Sequence, residues 1–139
     1  MGHDQDRRAP ISTAREWWGR PEHRVAFGES LARRVWRRVH AAPPGEGLIH
    51  EFHRDFCGHG LIRTERGVKL CEIEDGHRDG HAIAEWTSEE EFVAFFARQT
   101  DWSCAGFDPA EPVFHTEDSW AQGNQRLTRA ILERYAGWF

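Results

Sequence analysis

The residue types best suited to chemistry gather around positions 53–81. Cys57, Gly58 and His59 stand together, and Cys71, His77 and His81 follow. Thiolates and imidazoles are the usual zinc ligands, and a structural zinc site normally joins one close ligand pair to a second. Here the first pair is spaced C-x-H and Cys71 stands alone. The plainer reading packs Cys71 in a sheet as a small hydrophobe and leaves His77 and His81 as turn residues facing water. Cys57 also has His53, Asp55 and His59 close in sequence, the residue types that activate a thiolate nucleophile. A small metal- or cysteine-dependent enzyme using Cys57, His59, Cys71 and His81 is therefore one functional alternative. The chain has no Walker A loop, G-x-G-x-x-G, H-E-x-x-H, G-x-S-x-G or EF-hand loop. Nucleotide, dinucleotide and zinc-protease readings have no support, and no cofactor is expected. No spacing singles out a catalytic carboxylate pair among the 23 acids.

Aromatic and basic residues offer binding rather than catalysis. Seven tryptophans are many for 139 residues. Tryptophan fills cores and is also enriched at interface hot spots. Trp36 and Trp86 are expected to be buried, and one or two of Trp17, Trp18, Trp102, Trp120 and Trp138 to be exposed at a partner surface. Arg33, Arg34, Arg37 and Arg38 make a basic helix face beside Trp36, so a nucleic-acid-binding module using Arg33–Arg38 is a second alternative. Charge argues against it. Residues 1–44 hold nine arginines against five acids, while residues 45–139 hold nine bases against eighteen acids, for a net of −5. An acidic body repels phosphate and can attract a basic protein.

The elements that must position these residues follow from periodicity. A length of 139 residues fits one domain, taken as 1–139, with 1–12 as a loose leader. No apolar run is long enough to span a membrane, and the first twenty residues lack a secretory signal. Three cysteines cannot all pair within the chain, so a reducing, cytoplasmic setting is expected. Phe27, Leu31, Val35 and Val39 recur every four residues, which predicts a helix over 21–41 with Pro21 at its first position. Ile49, Phe52 and Phe56 predict a second helix over 47–57, with Gly58 as its cap. Arg66-Gly67, Asp75-Gly76 and Asp79-Gly80 punctuate three short strands near 60–65, 68–75 and 81–86, an antiparallel meander. Thr87 or Ser88 opens a helix, each with a glutamate three residues on. A long loop over 101–118 and a final helix over 119–136 complete the chain. The fold class is α+β in the order ααβββαα, with helices covering one sheet face.

Three stretches carry a likeness to a known group. They are Asp55-Phe56-Cys57-Gly58-His59-Gly60-Leu61, then Trp86 with Glu90-Glu91-Phe92-Val93 and Gln99-Thr100-Asp101, and finally Asn124-Gln125-Arg126-Leu127-Thr128-Arg129. In this order they resemble small bacterial cytosolic immunity proteins encoded beside polymorphic toxins, of the contact-dependent-inhibition type. The resemblance covers about residues 55–135. It implies a non-enzymatic protein that neutralises a cognate toxin by contact. The acids Glu72, Glu74, Asp75 and Asp79 are the expected contact surface, suited to a basic toxin. As residues, the same motifs read as scaffold. Asp101 would cap or close the turn after the Phe92 helix, and Asn124 would cap the last helix. Arg126 and Arg129 would pair with Asp101, Asp118 or the loop backbone.

Overall fold

The computed structural model describes residues 11–51, 58–73, 82–114 and 127–137 of the chain. Within them the architecture is α+β, with a four-stranded antiparallel sheet in the order β1-β2-β3-β4. The strands are β1 (Gly47–Glu51), β2 (Gly58–Arg63), β3 (Val68–Ile73) and β4 (Ala82–Trp86). The meander expected from the glycine turns is present, with one strand more at its leading edge. Asp75-Gly76 and Asp79-Gly80 lie outside the described residues. No helix among the described residues is long and apolar enough to cross a membrane.

The extra strand replaces the helix expected over 47–57, of which 52–57 lies outside the described residues. Leu48 pairs with Leu61 and Ile49 with Gly60. Successive strand residues point to opposite faces. Leu48, Leu61, Val68, Leu70 and Trp86 belong to the main core with the helices. Ile49, Ile62, Cys71 and Ile73 pack together on the other face. A strand buried on both faces carries neighbouring apolar residues and loses its period of two, which is why Leu48-Ile49 did not read as a strand. Cys71 is fully buried in this second cluster, as the plainer reading of it expected.

The helix expected over 21–41 is two elements. Pro21–His23 is a single 3-10 turn with proline at its start. The chain then bends at Arg24 and Val25 and runs without regular structure to Gly28, and the helix proper, Glu29–His40, begins there. Ile11–Trp18 forms a shorter helix before it. We call these α1 (Ile11–Trp18) and α2 (Glu29–His40). The break is imposed from outside the segment. The Phe27 and Gly28 N–H groups donate to the Gln99 and Ala97 carbonyls at 2.8 and 2.9 Å. Gly28 takes φ +90°, a conformation that favours glycine. Within α2, Leu31, Ala32, Val35, Trp36 and Val39 are buried. Each large apolar side chain so buried contributes about 1.5–3 kcal/mol.

Helix α3 (Glu89–Phe96) starts as the sequence predicts. Ser88 Oγ accepts from the Glu91 N–H at 3.2 Å, and the Glu91 carboxylate accepts from the Thr87 N–H and hydroxyl. Its rings join the layers: Phe92 meets Trp36 at 5.5 Å and Trp86 edge-on at 5.2 Å. Trp36 and Trp86 are buried as expected, at 5% and 8% exposure. The expected loop 101–118 contains a short helix, α4 (Asp101–Cys104), and a 3-10 turn at Pro112–Phe114. Of the helix expected over 119–136, positions 119–126 lie outside the described residues, and the described part forms α5 (Arg129–Ala136). Its cap is Thr128, whose side chain accepts from the Ile131 N–H, rather than Asn124, which lies outside them.

Gly67 sits where the β2–β3 turn passes the end of β4. A Cβ there would lie 2.0 Å from the Trp86 carbonyl oxygen, which is backbone and cannot swing away. Gly67→Ala should therefore cost about 1–3 kcal/mol, read as a lower denaturant midpoint at unchanged slope. An unchanged midpoint would contradict this packing.

Candidate functional site

Of the residues suited to chemistry, the two that are described, His59 and Cys71, do not converge. His59 stands opposite Glu72, and Gly60 opposite Cys71. His59 therefore shares the helix-covered face with Leu61, while Cys71 lies on the other face with Ile62 and Ile73. One ion cannot reach side chains through the sheet. Burial pushes the Cys71 thiol up, which suppresses the reactive thiolate. Cys57, His77 and His81 lie outside the described residues. Among the described residues no group of three or more His, Cys, Asp or Glu side chains is placed to hold a metal ion. His50, opposite His59 on the same face, is pushed below the usual imidazole range by burial and then by the Arg134 charge.

The binding residues fare unevenly. Glu72 is half-buried in β3, and Glu74, Asp75 and Asp79 lie outside the described residues. The basic face of α2 is occupied from within. Arg37 and Arg33 bond Glu89 at 3.1 and 3.0 Å, and their hydrogen bonds hold that carboxyl below the usual carboxylate range. Arg34 donates to the Gly137 carbonyl, and the Arg38 guanidinium lies over the Tyr135 ring at 5.2 Å. These arginines tie α2 to α3 and α5. The sequence shows a basic stripe but not partners some fifty residues and more away.

A different surface stands out. Trp17 and Val25 are the large hydrophobic side chains exposed among the described residues, at 45% and 55%. They flank the same turn, Pro21–His23. Around them the guanidiniums of Arg20, Arg24 and Arg15 lie over the rings of Trp17, Trp102 and Phe107, at 4.1, 4.2 and 5.0 Å. Trp18 and Trp102 pack on Ala105 and Phe107 in a small cluster separate from the main core. Of the tryptophans expected at a partner surface, Trp17 is exposed, while Trp120 and Trp138 lie outside the described residues. Sequence reasoning attached no role to Arg15, Arg20, Arg24 or His23.

What fixes this edge is Asp101. Its Oδ2 pairs with His23 Nδ1 at 2.9 Å, and its Oδ1 accepts the Arg129 backbone N–H at 2.7 Å. The His23 ring packs between Trp17 and Trp18, with centroids 5.5 and 4.9 Å away. The Arg129 guanidinium donates to the Val25, Ala26 and Phe27 carbonyls. Asp101 thus joins the turn at His23 to the start of α5. It does not close the turn after α3, as its position suggested. Thr100 and Ser103 cap the start of α4, each side chain bonding the other's backbone N–H at 2.9 Å. The expected pairing of Arg129 with Asp101 exists through its backbone, while its guanidinium reaches Glu133 at 3.5 Å.

The His23–Asp101 pair has the orientation of a catalytic dyad but serves no nucleophile among the described residues. The Ser103 hydroxyl donates to Gln99 Oε1 at 2.8 Å, and Thr100 Oγ1 accepts from Ser103. The pair is a structural latch.

Removing the latch carboxylate should be felt. Asp101→Ala leaves the Arg129 N–H without its acceptor and frees His23, at a cost of about 1–3 kcal/mol. Chemical denaturation measures it, and a loss under half the lower figure would argue against the latch. Acid tests a second contact. The Arg98 hydrogen bonds hold the Glu111 carboxyl below its usual range. A depressed folded pKa gives stability that is full above the unfolded pKa and is lost as pH falls through the folded one. Glu111→Gln should therefore lower stability at neutral pH and flatten the acid limb. Equal acid limbs in the two proteins would contradict the linkage. No family model, curated protein or solved structure matches this chain.

Proposed function

We propose that this chain is a non-enzymatic, cytoplasmic protein-binding domain that neutralises a cognate bacterial toxin by direct contact. One observation carries the protein-binding part: Trp17 and Val25 stand exposed on either side of a turn that is held rigid from beneath. Aromatic anchors surrounded by arginine are the residue types that dominate interface energetics. A turn already fixed by Asp101 and Arg129 loses little conformational freedom on binding. The neutralising role comes from the sequence resemblance over about 55–135. The acids Glu72, Glu74, Asp75 and Asp79 remain its expected contact for a basic toxin.

Co-expression with the protein encoded beside it is the test. The chain should restore growth to cells making that neighbour and should co-purify with it as one species on size exclusion. Trp17→Ser should weaken the complex by roughly tenfold or more, measured by calorimetry. Persistent toxicity alongside abundant folded chain would end the neutralising role. A complex indifferent to Trp17 would move the contact to another face, the acids at Glu72 and beyond being the next to reverse.

A further inference from the structure

We infer that the edge formed by Trp17, Arg20, Arg24 and Val25 takes an acidic segment of a partner protein, with Arg15 at its margin. Carboxylates of that segment would bond the guanidiniums, and one apolar side chain would pack against Trp17 and Val25. This deepens the protein-binding reading and rests on it.

The chemistry lies in how the arginines are held. The chain carries 23 acids against 18 bases. In such a chain arginines readily find carboxylates, and several do: Arg33 and Arg37 bond Glu89, Arg98 bonds Glu111, and Arg129 bonds Glu133. Among the described residues Arg15, Arg20 and Arg24 bond none, although Glu16 and Glu22 lie in the same stretch. Each lies over a ring instead, and Arg24 adds one bond from Nε to the Gly19 carbonyl at 3.1 Å. A guanidinium has five N–H donors in its plane. Stacking engages its face and fixes its orientation, and leaves donors at its edge for a carboxylate. Arg15, Arg20 and Arg24 are all exposed, as are Trp17 and Val25. Charge and exposed apolar side chains therefore occur together along one stretch, residues 15–25.

A single-stranded nucleic acid would use the same residue types differently. It needs aromatic faces on which bases stack. The Trp17 ring already meets Arg20 and His23, and the Trp102 ring meets Arg24. A carboxylate needs only the guanidinium edges, so a protein segment is the better fit.

The experiment uses the full chain and a fluorescein-labelled acidic peptide, EEDFEELE, read by anisotropy. Its charge-inverted counterpart KKKFKKLK and a twelve-nucleotide oligothymidine serve as competing probes. The acidic peptide should bind saturably, more weakly as salt rises, and should shift the indole N–H signals of Trp17 and Trp102 in a nitrogen-15 spectrum. Arg20→Ser with Arg24→Ser should weaken it by roughly tenfold or more, while Arg66→Ser on the β2–β3 turn leaves it unchanged. Arg20→Gln alone, checked by its denaturation midpoint, replaces the double variant if that fails to fold. No saturable binding by about 1 mM peptide, equal binding by the Arg20 and Arg24 variants, or tighter binding of the oligothymidine would each overturn the inference. Should the peptide fail while the toxin complex forms, only the acidic-segment inference falls. Should the peptide bind while co-expression gives no rescue, only the neutralising role falls.

Discussion

Phe92 is the contact on which the layers depend. It sits on α3, yet its ring meets Trp36 of α2, Trp86 of β4 and Phe96 one turn on. Phe96 in turn stacks with Phe27, at 5.9 Å, in the irregular segment that precedes α2. One run of rings thus reaches from the sheet edge through α3 to the N-terminal segment. Aromatic pairs in tilted and edge-on geometry contribute about 0.5–1.5 kcal/mol each beyond their area. Their geometry also fixes distances. With α3 seated on Phe92 and Phe96, its C-terminal carbonyls at Ala97 and Gln99 fall where the Gly28 and Phe27 N–H groups need acceptors. The break before α2 is a consequence of that seating.

The same seating delivers Asp101 to its place. Gln99 is fully buried, its amide donating to the Phe95 carbonyl at 2.9 Å and its oxygen accepting from Ser103. A buried polar side chain satisfied at both ends leaves the backbone there little freedom. The Thr100–Ser103 capping pair then starts α4, and Asp101 points at His23 and at the first N–H of α5. The exposed turn with Trp17 and Val25 is therefore held at the end of a chain of contacts that begins in the core. Its rigidity is inherited from Phe92 through Gln99 and Asp101.

The parts of the fold that were legible in the sequence are those set by local spacing. Ser88 and Glu91 sit three apart and cap α3 as such pairs do. Leu31, Val35 and Val39 repeat every four residues and are buried together. What was not legible is set by contacts distant in the chain. Leu48-Ile49 carries no alternation because Leu48 faces the helices and Ile49 the opposite cluster. The helix predicted from Pro21 onward stops being a helix because Ala97 and Gln99 offer its residues other partners. For the candidate site, the tryptophan surplus pointed to an interface without saying which ring stays outside. Trp17 and Trp18 are neighbours, and only the small cluster at Ala105 and Phe107 decides that Trp18 packs inward. His23 and Asp101 are 78 positions apart, a separation no motif spans.

Arginine is used in several ways in this chain: Arg34 and Arg129 bond backbone carbonyls, and Arg98 and Arg129 each bond a carboxylate and lie over a ring, but two uses contrast most clearly. Where a guanidinium bonds a carboxylate, as Arg33 and Arg37 do with Glu89, its charge is neutralised and its donors are engaged, and the result is a tie between helices. Exposed ties of this kind contribute little individually, about 0–1 kcal/mol, so they serve registration more than stability. Where a guanidinium lies on a ring, the charge persists and the side chain is nonetheless ordered. Arg20 on Trp17 and Arg24 on Trp102 are of the second kind, and they flank a turn that Asp101 keeps from moving. The net charge of −5 describes the whole chain. It does not describe this edge, where Arg20 and Arg24 lie over rings and bond no carboxylate among the described residues.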